Sequence, residues 1–150
     1  MKKAYLAISY SNRKLFDNEV KNLIELCKKN NIELLVFVDK YNFKENEEKE
    51  MMETAFREID KSDFLIAELT TKSIGVGIEI GYAYAKEKPI IYLRKKDSEY
   101  STTASGCSSE IVIYKNELDL KEMMENLLNP ELNDWIKKLP TTPHKIYAYI

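Results

Sequence analysis

The chain has 150 residues, with 23 Lys and Arg against 25 Asp and Glu and a formal net charge of −2, which fits one domain of ordinary size. Its 44% apolar and 32% charged content excludes the composition of a disordered chain, and the balanced charge argues against a general binder of nucleic-acid polymers, which needs a basic surface. No run approaches the ~18 apolar residues of a membrane span, and polar residues follow Ala4 to Ser9 too soon for a signal peptide, so a cytoplasmic protein without a membrane partner is expected.

Tyr5-Leu6-Ala7-Ile8 reads as a buried first strand ending near Ser9. Over residues 13–30, Leu15, Phe16, Val20, Leu23, Ile24 and Cys27 recur at helical spacing, and Asn30-Asn31 supplies a stop. Leu34-Leu35-Val36-Phe37-Val38 has the length and continuous apolar character of a strand covered on both faces. A polar loop over 41–49 precedes a second helical stripe at Met51, Met52, Ala55, Phe56 and Ile59. Phe64-Leu65-Ile66-Ala67 is the third strand. A glycine-containing segment, Gly75-Val76-Gly77-Ile78-Glu79-Ile80-Gly81, then opens a helix running to about Glu87. Pro89-Ile90-Ile91-Tyr92-Leu93 and Ile111-Val112-Ile113-Tyr114 give strands four and five, separated by a loop rich in Ser, Thr and Gly, and 118–128 forms the last full helix.

This alternation predicts an α/β fold: a doubly wound, flavodoxin-like, five-stranded parallel sheet with helices on both faces. Ligands of such sheets bind outside the carboxyl ends of the strands, so the loops 9–13, 39–43, 68–77 and 101–107 are expected to line one site. The tail 129–150, with Trp135 and the ending Tyr147-Ala148-Tyr149-Ile150, is expected to pack on the 1–128 domain or on a second subunit. Cys27 and Cys107 fit no metal-binding or CxxC spacing and read as reduced thiols.

Glu79 is the residue richest in chemical implication. It lies in the first turns of a helix that starts at the carboxyl end of strand three, where amides and the helix dipole favour an ionised carboxylate suited to nucleophilic attack. A charge that only complements the dipole is the alternative. Gly75 and Gly77 permit close approach of a ligand or backbone, and Gly81 lets the helix lie near the sheet. A dinucleotide fingerprint is disfavoured, because its glycines belong on the first βα turn.

The stretch Ser62-Asp63-Phe64-Leu65-Ile66-Ala67-Glu68-Leu69-Thr70, with Ser73-Ile74-Gly75-Val76-Gly77-Ile78-Glu79-Ile80-Gly81-Tyr82-Ala83 and Lys88-Pro89-Ile90, resembles the nucleoside 2-deoxyribosyltransferase family, most of all its 2′-deoxynucleoside 5′-phosphate N-hydrolase branch. The resemblance implies that Glu79 attacks the anomeric carbon of a small nucleotide or nucleoside substrate, and that no metal or other cofactor is needed. It assigns Ser73 to the 5′-phosphate, although a plain helix N-cap is compatible with that position. Ser105, in the loop Ser101-Thr102-Thr103-Ala104-Ser105-Gly106, falls where relatives supply a further phosphate contact, often from a neighbouring subunit of a homodimer or larger homo-oligomer. Tyr5 matches a strand-one tyrosine, and Ser9 matches the serine of a Gly-Ser pair whose glycine is Ile8 here. Ala55 stands where relatives carry an aspartate, and Glu53 or Glu58 would replace it only in a different helix register. The implied function is hydrolysis of the N-glycosidic bond of nucleoside 5′-monophosphates. The alternatives are a base-exchanging deoxyribosyltransferase and an inactive nucleotide-binding sensor.

Overall fold

The computed structural model describes residues 1–132 and the backbone of 145–148. The apolar runs form strands β1 (Lys2–Ile8), β2 (Ile32–Val36), β3 (Phe64–Glu68), β4 (Ile90–Lys95) and β5 (Glu110–Tyr114), and the amphipathic stretches form helices α1 (Asp17–Lys29), α3 (Glu48–Asp60), α4 (Ile74–Ala85) and α6 (Glu117–Leu128). Two short helices, α2 (Phe37–Lys40) and α5 (Thr102–Cys107), complete the described helices together with a 3-10 turn at Arg13–Phe16. Every strand pairing is parallel, in the order β2-β1-β3-β4-β5-β6, so the expected five-stranded doubly wound sheet gains a sixth strand, β6 (Lys145–Ala148).

Strand alternation divides the core in two. Ala4, Leu6 and Ile8 of β1 face α1 and α6 together with Phe64, Ile66, Tyr114 and Met124. Tyr5 and Ala7 face the opposite layer with Ala55, Ile59, Val76, Ile80 and Tyr92. The chain reverses direction across the sheet between β1 and β3, where Ala7 lies beside Ala67 and Ile8 beside Glu68. The crevice at their carboxyl ends is the place where sheets of this kind take ligands.

Three local expectations are corrected. The helix anticipated over 13–30 begins as a 3-10 turn, and Leu15 is left exposed, because the α-helical register starts only at Asp17. Phe37 and Val38 leave the strand for α2, which carries the Phe37 ring under the sheet to within 5.7 Å of the Tyr5 ring centroid. The Ser-rich loop folds as α5, capped by the Ser101 side chain, which accepts the Ala104 N–H at 3.2 Å. Of the two places expected for the tail, its own domain or a second subunit, the segment Lys145–Ala148 takes the first and pairs with β5, Glu110 opposite Lys145. The tail residues Trp135, Ile136, Leu139 and Tyr149 lie outside the described residues.

Candidate active site

The loop after β3 turns at Ser73, whose backbone is extended (φ −143, ψ 127) and whose side-chain oxygen accepts the Val76 N–H at 3.4 Å. That contact caps α4. Because the oxygen accepts this bond, the hydroxyl proton stays available as a donor, and the first-turn amides of Ile74 and Gly75 have no carbonyl partner within the helix. Three donors thus converge at one helix tip, an arrangement that favours an anion.

Glu79 sits further along α4, half-buried and turned toward Tyr5. Burial pushes its carboxyl up to about 8, while the Tyr5 hydroxyl pulls it back down. This corrects the expectation of a carboxylate kept ionised by the helix end. Glu79 lies beyond the first turn, where the dipole field has already fallen off, and desolvation wins. Tyr5 is fully buried, and its hydroxyl makes no hydrogen bond of ordinary geometry with another group. Burial and the neighbouring Glu79 carboxylate raise its pKa above the usual phenol range. A carboxyl and a phenol with no better partner face each other, and together they can share or hand on one proton.

Ser9 follows Tyr5 and Ala7 on the alternating face of β1 and is half-buried at the strand end, with its carbonyl accepting the Asn12 N–H at 3.2 Å. The β1 loop is tied to the β2 loop by Arg13, which donates from Nε and Nη2 to Asp39 at 3.0 and 2.8 Å and from Nη1 to Asp17 at 2.8 Å. Such a bidentate clamp fixes loop geometry more firmly than one exposed ion pair. Beside Tyr5 and Phe37 lie Tyr41 and Phe43, half-buried, with ring centroids 6.0 Å apart. This aromatic wall went unread in the sequence, where 41–49 looked polar; the Tyr-Asn-Phe spacing after the second strand was its available signal.

On the other side of α4 a cleft of about 320 Å³ opens toward α5, lined among others by Ser73, Gly77, Gly81, Ser101, Thr103 and Cys107. A Cβ at Gly77 or Gly81 would meet no atom within 4 Å, so neither glycine serves tight packing inside this chain. The close approach of Gly81 to the sheet is therefore not found. Gly75 lies at the helix tip, where a Cβ would come 4.0 Å from the Ser73 hydroxyl oxygen. Ser105 is buried and accepts the Tyr100 hydroxyl at 2.6 Å instead of lining the cleft. The structure thus brings Tyr5 and Glu79 together, sets Ser73 and Gly75 at the tip of the same helix, and places Gly77 on the cleft side.

Ala55 is buried in the layer that holds Tyr5, and the helix register leaves no carboxylate at its position. Glu53 is exposed toward Lys49, and Glu58 is paired with Lys40 and Lys61 at 3.4 and 3.3 Å, which draw its pKa down against the opposing effect of burial. Among the described residues no group of three or more His, Cys, Asp or Glu is placed to hold a metal ion.

Comparison with known proteins matches residues 4–128 to the family model for nucleoside 2-deoxyribosyltransferase. A putative 2′-deoxynucleoside 5′-phosphate N-hydrolase 1 from Thermofilum pendens is 31% identical over 85 residues, which cover 53% of this chain and 59% of that relative. Among solved structures, a CMP N-glycosidase of Clostridium botulinum is similar with a TM-score of 0.63 at 22% identity, covering 83% of this chain and 99% of that one. A 2-deoxyribosyltransferase of Bacillus psychrosaccharolyticus reaches a TM-score of 0.66 at 14% identity, covering 85% and 96%. At such identities the solved structures establish the shared fold.

Proposed function

The chain belongs to the nucleoside 2-deoxyribosyltransferase family, and on that premise we propose that it hydrolyses the N-glycosidic bond of nucleoside 5′-monophosphates with Glu79 as nucleophile. The observation that carries this reading is the pairing of Glu79 with the otherwise unpartnered Tyr5 hydroxyl, on a helix whose Ser73 tip presents free donors. A carboxylate oxygen of Glu79 attacks C1′ while the C1′–N bond breaks, and the base leaves with the bonding pair and takes up a proton. Water then attacks C1′ of the glycosyl ester, gives its proton to solvent, and releases the sugar 5-phosphate with the carboxylate restored. Tyr5 steadies the carboxylate before attack and again as the ester is released, and the Tyr41 and Phe43 rings offer a surface for the departing base.

The free hydroxyl proton of Ser73 and the amides of Ile74 and Gly75 favour a phosphorylated substrate over a free nucleoside. Replacing Ser73 by alanine removes one hydrogen bond to a charged group. The resulting loss in kcat/KM for 5′-monophosphates is roughly tenfold to a hundredfold, against little change for free nucleosides. Chromatography of released base from both substrate types measures the ratio; equal losses would reduce Ser73 to a helix cap. Detectable exchange of one free base for another would instead favour the transferase reading. Nucleotide affinity without any product would favour the sensor reading that the Ala55 substitution motivates.

A homo-oligomer belongs to the same proposal. The outer face of α4 leaves Ile74 85% and Ile78 47% exposed beside the open Gly77 and Gly81, on a helix that is apolar nearly all round. A second copy covers this face and brings its own residues toward the cleft. Light scattering should report a dimer or larger species, with Ile78→Glu shifting it toward monomer; a monomeric wild-type protein would contradict the arrangement.

A further inference from the structure

On the face of the sheet opposite Glu79, a second carboxylate is buried at the carboxyl end of β3. Glu68 is 5% exposed. It accepts the backbone N–H of Thr70 at 2.6 Å through Oε1 and the Tyr114 hydroxyl at 2.6 Å through Oε2. The side chain of Thr70 in turn accepts the Lys95 N–H at 3.0 Å, and the Leu69 N–H donates to the Leu93 carbonyl at 2.9 Å. Lys95 reaches across to Glu19 at 3.3 Å. The start of the segment from Glu68 to Ser73 is therefore pinned to β4 and β5, and two of these bonds, from the Thr70 amide and the Tyr114 hydroxyl, end on one buried acid.

A carboxylate is an expensive way to fill such a position. Burial pushes its pKa up, and the bonds from Thr70 and Tyr114 with the nearby Lys95 only partly reverse that. The neighbouring side chains on this face, Phe64, Ile66 and Leu93, are apolar, so a leucine would suit the packing. What a leucine lacks is an acceptor for the Thr70 amide two residues ahead. That bond holds the Thr70 amide as the chain leaves the sheet, beside the bonds that tie Leu69 and Thr70 to β4, and three residues later the chain arrives at the Ser73 cap.

We propose that Glu68, held by Tyr114, is a positioning residue for phosphate recognition: it fixes the turn that aims the Ser73 hydroxyl and the Ile74 and Gly75 amides at the 5′-phosphate. This rests on the nucleotide reading above, and it assigns selectivity to a pair buried beneath the crevice floor, on the face of the sheet opposite Glu79. Glu68 touches no substrate, and Glu79 and Tyr5 lie on the other face of the sheet.

The test uses calorimetric affinity for a nucleoside 5′-monophosphate and for the same nucleoside without phosphate, alongside KM and kcat for base release. Glu68→Gln retains an acceptor for Thr70 and should keep nucleotide affinity within about threefold of wild type, whereas Glu68→Ala should weaken the nucleotide by about tenfold or more and leave the nucleoside unchanged. Tyr114→Phe keeps the core ring, avoids the risk of a misfolded protein and should fall between the two. In a Ser73→Ala background Glu68→Ala should cost less than it does alone, since the Ser73 hydroxyl is one of the donors that Glu68 aims. Equal weakening of nucleotide and nucleoside, or full additivity with Ser73→Ala, overturns the positioning role alone. A wild-type protein that neither binds nucleotides nor releases base overturns the nucleotide reading and this inference together.

Discussion

Glu79→Ala should lower base release from nucleoside 5′-monophosphates by about a thousandfold or more, the scale of loss seen when a nucleophile is removed from a group acting as a unit. The expectation follows from position. Glu79 faces the buried Tyr5 hydroxyl on the helix that starts at the β1/β3 crevice, Ala55 supplies no carboxylate, and Glu58, near enough to Tyr5 to raise its pKa, is held in ion pairs by Lys40 and Lys61. Substrate affinity should persist, because the donors at Ser73, Ile74 and Gly75 are untouched. Base release followed by chromatography, with calorimetric binding as a control, separates the two quantities. More than a few per cent of the wild-type rate in the variant would remove Glu79 from the nucleophile role.

The pH dependence should be equally large and has a definite sign. With its carboxyl raised to about 8 by burial, Glu79 is mostly protonated in the free enzyme at neutral pH, so kcat/KM should climb about tenfold per pH unit below that value and level off above it. Stability runs the other way. Below the ordinary value of 4.5 the group is protonated in folded and unfolded chains alike and costs nothing. Between 4.5 and about 8 the unfolded chain releases the proton while the folded chain keeps it, so stability falls as pH rises, and above about 8 the full cost is present. Glu79→Gln removes that cost. Its urea midpoint should match wild type near about pH 4 and exceed it near about pH 9; a variant less stable than wild type at the higher pH would mean that the carboxylate is stabilised by partners and not strained by burial. Activity and stability are thus opposed at one residue, as expected of a site that holds a group in an unfavourable environment for use.

Apolar runs of strand length marked β1, β3, β4 and β5, because strands covered on both faces need a continuous apolar stretch, and their alternation with helical stripes pointed to the doubly wound order. Phe37 and Val38 misled for the same reason. They are apolar, but β2 is an edge strand paired only to β1, and the chain departs from it into α2 as soon as Phe37 can pack on Tyr5. The helix α5 was hidden by a Ser- and Thr-rich composition whose only signal was the Ser101 cap. Lys-Ile-Tyr-Ala of β6 is too short and too close to Pro140 and Pro143 to stand out as a strand.

At the candidate site, the cap at Ser73 and the glycine spacing were legible because both are local. The protonation of Glu79 was not, since it depends on how many side chains from β1 and its surroundings exclude water from the carboxyl. Nor could sequence disclose the Glu68–Tyr114 contact, whose partners are 46 residues apart. The Arg13–Asp39 clamp, spanning 26 residues, was equally invisible.

The most direct measurement is the mass of the enzyme caught in turnover. Protein mixed with a deoxynucleoside 5′-monophosphate at alkaline pH, quenched in acid and digested should yield a fraction of the peptide containing Glu79 carrying one sugar phosphate, and none in Glu79→Ala. Turnover with no adduct on that peptide, or with the sugar phosphate on another residue, would contradict a glycosyl-Glu79 intermediate.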